Sequence, residues 1–325
     1  MKLRDLGERE IINRIFKGIS MKQEKDDCAV LENGDEYLLL STDIIRQSTH
    51  IPEGADPSLI GKFVANINLS DIAAMAGIPS GMLVSYLIDP ESDDRYIEKI
   101  AASIDRVLKD NGAETLGGDT KEGSELVISG SILGHQEKRL TRRRSHIAKG
   151  DVIGVTNRMG RAASGYIFYI TGYRPDLGIN MMLGRSARIR EAQIMSEHGA
   201  KFMMDLSDGV FSSISQMKSD YGIGFKIVEN ELKPDRNVAK AASLTGLPST
   251  EIMCGFGGDY EIFFSISNSD YRDFQAAMES EKIDVSFIGE AWDGNNIMFN
   301  GKEWVNINER GYEHFGVKPL SEIAH

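Results

Sequence analysis

The chain has little cysteine: Cys28 and Cys254 are the two in 325 residues. Two thiols cannot build a disulfide framework or a paired-cysteine zinc site. Long apolar runs are also missing, and none approaches the roughly 20 residues that a membrane-spanning helix needs. The opening residues MKLRDLGERE are charged and lack the apolar stretch of a secretory signal. The expectation is a cytoplasmic protein that does not engage a membrane. Basic charge is in deficit, with 37 Lys and Arg against 49 Asp and Glu, a net charge of −12. Nonspecific nucleic-acid binding needs a basic footprint, so nucleic acid is not an expected partner. The six histidines show no metal-ligand spacing. Gly61-Lys62-Phe63 lacks the hydroxyl residue and the upstream glycine of a Walker A loop, and the protein-kinase signature set is absent.

What is present is aspartate, placed at structural boundaries. The segments are Asp26-Asp27, Ser41-Thr42-Asp43, Asn68-Leu69-Ser70-Asp71, Gly117-Gly118-Asp119-Thr120, Asp205-Leu206-Ser207-Asp208 and Gly257-Gly258-Asp259. Carboxylates beside glycine and small hydroxyl residues suit hard cations and phosphates. Mg²⁺ is usually held by one or two carboxylates plus substrate phosphates and keeps several waters. Isolated aspartates around a polyphosphate fit that habit, and no EF-hand spacing is present.

The apolar pattern places these residues. Tyr37–Leu40 predicts a short buried strand that delivers Ser41, Thr42 and Asp43 to a sheet edge. Residues 58–76 predict a helix with Ile60, Phe63, Val64 and Ile67 on one stripe, stopped by Gly77 and Pro79. One more turn of that stripe reaches Asp71. A carboxylate on an apolar face needs a partner, and a metal ion is the partner favoured. A second helix is expected over 93–109, an apolar step at Thr115-Leu116, and strands over 126–133, 152–155 and 202–204. A helix is expected over 184–198. A domain boundary is placed after residue 148, giving an N-terminal domain of 1–148 and a C-terminal domain of 149–325.

Bland readings stand beside the functional ones. Ser207 or Asp208 can simply cap a helix, although a helix N-terminus also attracts phosphate. Gly117 and Gly118 leave room for backbone to approach an anion. Asp26-Asp27 fits a solvated turn, and Arg142-Arg143-Arg144 a solvated basic face from which one arginine reaches a phosphate. Cys28 reads as a small buried residue. His50 is the most plausible site histidine, or else a surface loop residue.

Eight segments, in order, carry a family resemblance: DDCAVL (26–31), STDIIRQSTH (41–50), NLSDIAAMAGIP (68–79), GGDT (117–120), RSHIAKGDVIGVT (144–156), DLSDG (205–209), GGDYEIFF (257–264) and GYEHF (311–315). In these the chain resembles the thiamine-monophosphate kinases, relatives of aminoimidazole ribonucleotide synthetase and selenophosphate synthetase. The resemblance implies an α/β (α+β) protein of two domains, aminoimidazole ribonucleotide synthetase-like, with an N-terminal sheet domain that pairs in a homodimer and a C-terminal α/β domain. It implies ATP-dependent phosphorylation of thiamine monophosphate to thiamine diphosphate, assisted by several Mg²⁺ ions. Asp27, Ser41, Thr42, Asp43, Asp71, Asp119, Asp205 and Asp208 would hold Mg²⁺. Gly118, Arg144 and Ser207 would contact ATP. His50, Asp259 and Tyr312 would contact thiamine monophosphate, with Trp304 a further aromatic candidate for the thiazolium cation. No general base is expected, because a phosphate monoester is already an anion with a second pKa of about 6. Two departures stand out. Lys25 occupies a position that is usually glycine, and Gly258 one that is usually glutamate. Alternatives are another ATP-using relative such as aminoimidazole ribonucleotide synthetase, a metal-dependent phosphohydrolase, or a noncatalytic nucleotide-binding module.

Overall fold

In a computed structural model of the chain, residues 8–19 and 23–307 are described. Two sheets organise them. The first contains β1 (Ala29–Asn33), β2 (Glu36–Arg46), β3 (Ile78–Ile88), β4 (Glu114–Glu122) and β5 (Val127–Glu137), in the order β1-β2-β5-β3-β4. Only β3 and β4 pair in parallel. Helices α1 (Glu8–Phe16), α2 (Gln47–His50), α3 (Pro57–Ala74) and α4 (Asp94–Asp110) accompany it.

The second sheet contains β6 (Val152–Thr156), β7 (Met203–Asp205), β8 (Gly224–Val228), β9 (Ile262–Ile266), β10 (Val285–Trp292), β11 (Ile297–Phe299) and β12 (Trp304–Asn306). Its order is β12-β11-β8-β10-β6-β9-β7. Around it lie α5 (Arg161–Ile170), α6 (Pro175–Leu183), α7 (Ile189–Glu197), α8 (Val210–Tyr221), α9 (Val238–Thr245), α10 (Ser249–Cys254) and α11 (Tyr271–Ser280).

Helix α3 is the element that positions the site. Asp56 caps it by accepting from the Ser58 N–H at 2.8 Å, and Pro57 supplies a first turn that needs no donor. The sequence pattern predicts one apolar stripe. Instead the helix is buried nearly all round, including Asn66, Asn68 and Ser70. The reason is that it packs against β2 and β5 of the first sheet and against β7, α6 and α7 of the second half. Its Asn66 Oδ1 accepts from the Ala187 N–H at 2.8 Å, and Ser70 donates to Asp205 at 2.8 Å. One apolar cluster therefore contains Ile60, Leu69 and Ile72 together with Ile189, Met195 and Phe264. A second, around Phe202, Phe225 and Phe263, belongs to the C-terminal half.

Two expectations are corrected. The helix predicted over 184–198 begins only at Ile189, because Arg185 and Arg188 turn inward to buried carboxylates at Asp259 and Glu261. The apolar step at Thr115-Leu116 belongs to a nine-residue edge strand, β4, exposed along its whole length.

Candidate active site

Five of the aspartates converge where the two halves meet. Asp27 lies just before β1, Asp43 within β2, Asp71 in the last turn of α3, Asp205 at the end of β7, and Asp208 in the loop that enters α8. Carboxylate oxygens of Asp27, Asp71 and Asp205 lie within 4.8 Å of one another. Alternation along β2 sends Ser41 and Asp43 to the same face. There Ser41 donates to Asp71 in a short hydrogen bond, and Asp43 and Asp71 are hydrogen-bonded to each other. Ser207 donates to Asp205 at 3.1 Å.

The electrostatics follow from this crowding. Burial, reinforced by Asp43, Asp205 and Asp27, holds the Asp71 carboxyl well above the usual carboxylate range. Burial raises Asp43 to about 6, against the hydrogen bond from Asp71. Asp205 is raised to about 7, by burial first and by Asp27 next. One guanidinium offsets them. Arg144 donates to Asp27 from Nε at 3.1 Å and from Nη2 at 2.7 Å. Close buried carboxylates with raised pKa values are a donor set for a hard divalent cation, which competes with protons for them. The residues present fit Mg²⁺.

Other expected site residues are placed differently. Thr42 faces the opposite side of β2, where its hydroxyl donates to the Gly130 carbonyl at 2.8 Å. Its side chain cannot join the cluster, because neighbouring strand residues alternate in direction. Asp119 is also outside it. Pairing runs from Asp43 to Gly130, Val84 and Gly118, so Asp119 lies three strands away, roughly 14 Å. It is exposed and paired with Lys121 at 3.0 Å, which lowers its pKa. Gly118 is explained by the sheet itself, since a Cβ there would stand 1.7 Å from the Val84 carbonyl oxygen.

Arg144 faces Asp27 rather than an open phosphate site, and Arg143 pairs with Asp26 at 2.8 Å, so neither is a solvated surface arginine. Asp259 is 4% exposed and accepts from the Gly160 N–H and, at 2.9 Å, the Ala162 N–H. Arg185 pairs with it at 3.0 Å. That carboxylate caps α5 and faces an internal cation. Gly258 has φ +88° and donates its N–H to the Ser207 carbonyl at 2.7 Å. A Cβ on Gly257 would fall 2.1 Å from that same oxygen. These glycines let 257–259 lie against the 205–208 loop.

His50 ends α2, where its Nδ1 accepts from the Arg46 N–H at 3.2 Å. Trp304 is exposed and packs on Phe299 in β11. It sits on β12, six strands from β7 and Asp205, on the order of 28 Å. Tyr312 and the 311–315 segment lie outside the described residues. Cys28 is buried, donates to the Asp71 carbonyl at 3.3 Å, and has its thiol pushed up by burial and by Asp71. It is a packed thiol, as read from the sequence.

Two residues at the cluster were not anticipated. Ser70 is a fully buried serine that donates to Asp205, and its position beside Asp71 was the available signal. Tyr260 follows Asp259 with φ +50°, packs edge-on against Phe63 at 6.1 Å, and is held well above its usual pKa by burial, then by Asp43, Asp205 and Asp208. No periodicity marks a tyrosine in a left-handed turn.

Known proteins agree with this architecture. Residues 25–136 match the family described as AIR synthase related protein, N-terminal domain. The thiamine-monophosphate kinase of Methanospirillum hungatei is 29% identical over 316 residues, covering 95% of this chain and 99% of the relative. That of Pyrococcus horikoshii is 25% identical over 309 residues, covering 94% and 96%. A solved structure of AaThiL complexed with AMPPCP and TMP superimposes with TM-score 0.85 at 24% identity, covering 97% of this chain and 99% of that one. Escherichia coli HypE, a hydrogenase maturation protein, gives 0.71 at 18% identity, covering 96% and 98%. The resemblance read from eight short segments thus extends over nearly the whole chain, and the fold is the aminoimidazole ribonucleotide synthetase-like one.

Proposed function

We propose that this chain transfers the γ-phosphoryl group of ATP to the phosphate of thiamine monophosphate, releasing thiamine diphosphate and ADP. The relatives that span nearly its full length are thiamine-monophosphate kinases, and one structural neighbour holds an ATP analogue with TMP. The observation that carries the reading is the convergence of Asp27, Asp71 and Asp205 within 4.8 Å, extended by Asp43.

ATP and the acceptor are both polyanions, so aspartates cannot meet them directly. Bound Mg²⁺ would neutralise and clamp the phosphate oxygens during in-line transfer. The chain's own part is to hold ligands in place. Asp27, Asp71 and Asp205 offer the converging oxygens, and Asp43 lies beside Asp71. Ser41 and Ser70 orient Asp71 and Asp205 by donating to them. Arg144 fixes Asp27 with a fork that matches a carboxylate plane. Asp208, exposed at the entrance to α8, would offer a further carboxylate to Mg²⁺. The acceptor phosphate is the nucleophile and needs no base, and His50 is the described candidate for contact with the thiamine moiety.

A homodimer belongs to this reading. Leu31, Leu40, Ile44, Leu83 and Leu116 are exposed on the first sheet. Contiguous exposed apolar surface marks an interaction face, and the edge strand β4 that carries Asp119 adjoins it. No helix among the described residues is long and apolar enough to cross a membrane.

The test is direct. Purified protein with Mg²⁺, ATP and thiamine monophosphate should form thiamine diphosphate and ADP in equal amounts. Phosphate release that ignores the acceptor would instead make the chain a phosphohydrolase.

A further inference from the structure

The loop that presents Asp27 is gripped from both halves of the molecule. Glu24 accepts from the Ser145 hydroxyl at 2.9 Å, and Asp26 accepts from Arg143 Nε at 2.8 Å and from the Arg144 N–H at 2.7 Å. Lys25 is held differently. Its Nζ pairs with Asp220 at 2.6 Å, and its carbonyl accepts the Tyr221 hydroxyl at 2.8 Å. Asp220 and Tyr221 are the last two residues of α8, whose other end follows Asp208. A single helix of 12 residues, about 18 Å long, thus joins the Asp205–Asp208 loop to the Asp26–Asp27 loop.

We propose that Lys25 and Tyr221 are positioning residues that latch the Asp27 loop to the C-terminal end of α8 and so fix Asp27 against Asp205. Two features support a positioning role. The Tyr221 bond reaches main chain two residues from Asp27, so it restrains the backbone rather than one mobile side chain. The Asp220 carboxylate that Lys25 reaches is 12% exposed in its side chain and so partly shielded from water, while the Lys25 side chain itself is 61% exposed. Lys25 also occupies a position where the resemblance expects glycine, and glycine would leave that backbone free and carry no ammonium group. The latch does not touch substrate. It rests on the proposed cation site, and it adds the statement that the site's first aspartate is set from the far end of α8.

Mn²⁺ binding to the purified full chain, followed by electron paramagnetic resonance of the free ion, separates these ideas. Tyr221→Phe and Lys25→Ala should each weaken Mn²⁺ binding roughly three- to tenfold, the scale of one lost hydrogen bond or partly shielded ion pair. Their melting temperatures without metal should stay near that of the unaltered chain. Lys25→Arg should bind like the unaltered chain. The sign is diagnostic for Lys25→Ala: losing a positive charge beside an acidic site would by itself tighten cation binding, whereas a lost latch weakens it. Unaltered or tighter binding in Lys25→Ala together with unaltered binding in Tyr221→Phe would overturn the latch. An unaltered chain that binds no Mn²⁺ would overturn the cation site itself.

Discussion

Arg144 grips Asp27 with two nitrogens of one guanidinium, Nε at 3.1 Å and Nη2 at 2.7 Å, and both side chains are less than a tenth exposed. This pair places the one described guanidinium of the cluster against the carboxylate that the N-terminal loop contributes. It therefore has a structural duty before any nucleotide arrives.

Arg144→Gln should destabilise the protein by about 3–5 kcal/mol, the cost of leaving a buried charge without its partner. Arg144→Lys should recover only part of this, because an ammonium cannot reproduce the two-point fork. Denaturant unfolding of the three proteins checks both statements. Equal stability of the Gln variant and the parent would remove Arg144 from this role.

Stability without metal should fall as pH rises from about 5 to 8. Asp43 at about 6 and Asp205 at about 7 lie above the ordinary carboxylate value near 3.9, so the folded state retains protons that the unfolded chain releases. Their contribution is present below the unfolded value and is lost as pH climbs through the folded ones. In Asp205→Asn the slope should flatten. Mg²⁺ should reverse it, since protons compete with the cation and its added stability grows with pH. Unfolding curves in chelator and in Mg²⁺ across this range decide the matter.

Asp71→Asn should lower turnover by roughly two orders of magnitude or more, the scale seen when one charge-stabilising group is lost from a site. Its metal-free fold should be as stable as the parent or more so, because a crowded buried acid is replaced by a neutral group. Thiamine diphosphate formation and thermal melting, measured on the same sample, must move apart. Parental activity would refute the assignment.

Asp259→Asn should behave in the opposite way. It weakens the cap of α5 and leaves Arg185 facing a neutral amide, at a cost of about 3–5 kcal/mol for a broken buried pair. The KM for thiamine monophosphate in the folded fraction should be unchanged. A selective rise in that KM at unaltered stability would restore Asp259 as a substrate contact.

Much of the cluster was legible because its residues sit at breaks in apolar pattern. Asp71 interrupts an otherwise apolar face of a helix, and burial costs point to a partner. Asp27, Asp43, Asp205 and Asp208 became legible through their order along the chain. That Thr42 and Asp119 stand apart from that cluster was not legible, because motif membership ignores which face of a strand a residue occupies and how many strands separate it from a site. Asp259 reads like its neighbours in sequence, yet its surroundings are the N-terminus of α5 and Arg185, which only the folded chain brings together. Tyr221 carries no motif, and its contact with Lys25 spans 196 positions. The fold class was legible through the family resemblance of the eight segments, whereas the all-round burial of α3 was hidden because several of the elements that cover it lie beyond residue 175.

That burial bears on how the chain can be divided. A cut between residues 148 and 149 would strip α3 of α6, α7 and β7 and bare Ile60, Leu69 and Ile72 on one fragment, with Ile189, Met195 and Phe264 on the other. The C-terminal fragment would keep its own cluster around Phe202, Phe225 and Phe263, but each fragment would lose the partners that close the shared one, which ties the folding of the halves together. The turn of α3 that carries Asp71 is therefore held in place by both halves of the chain at once.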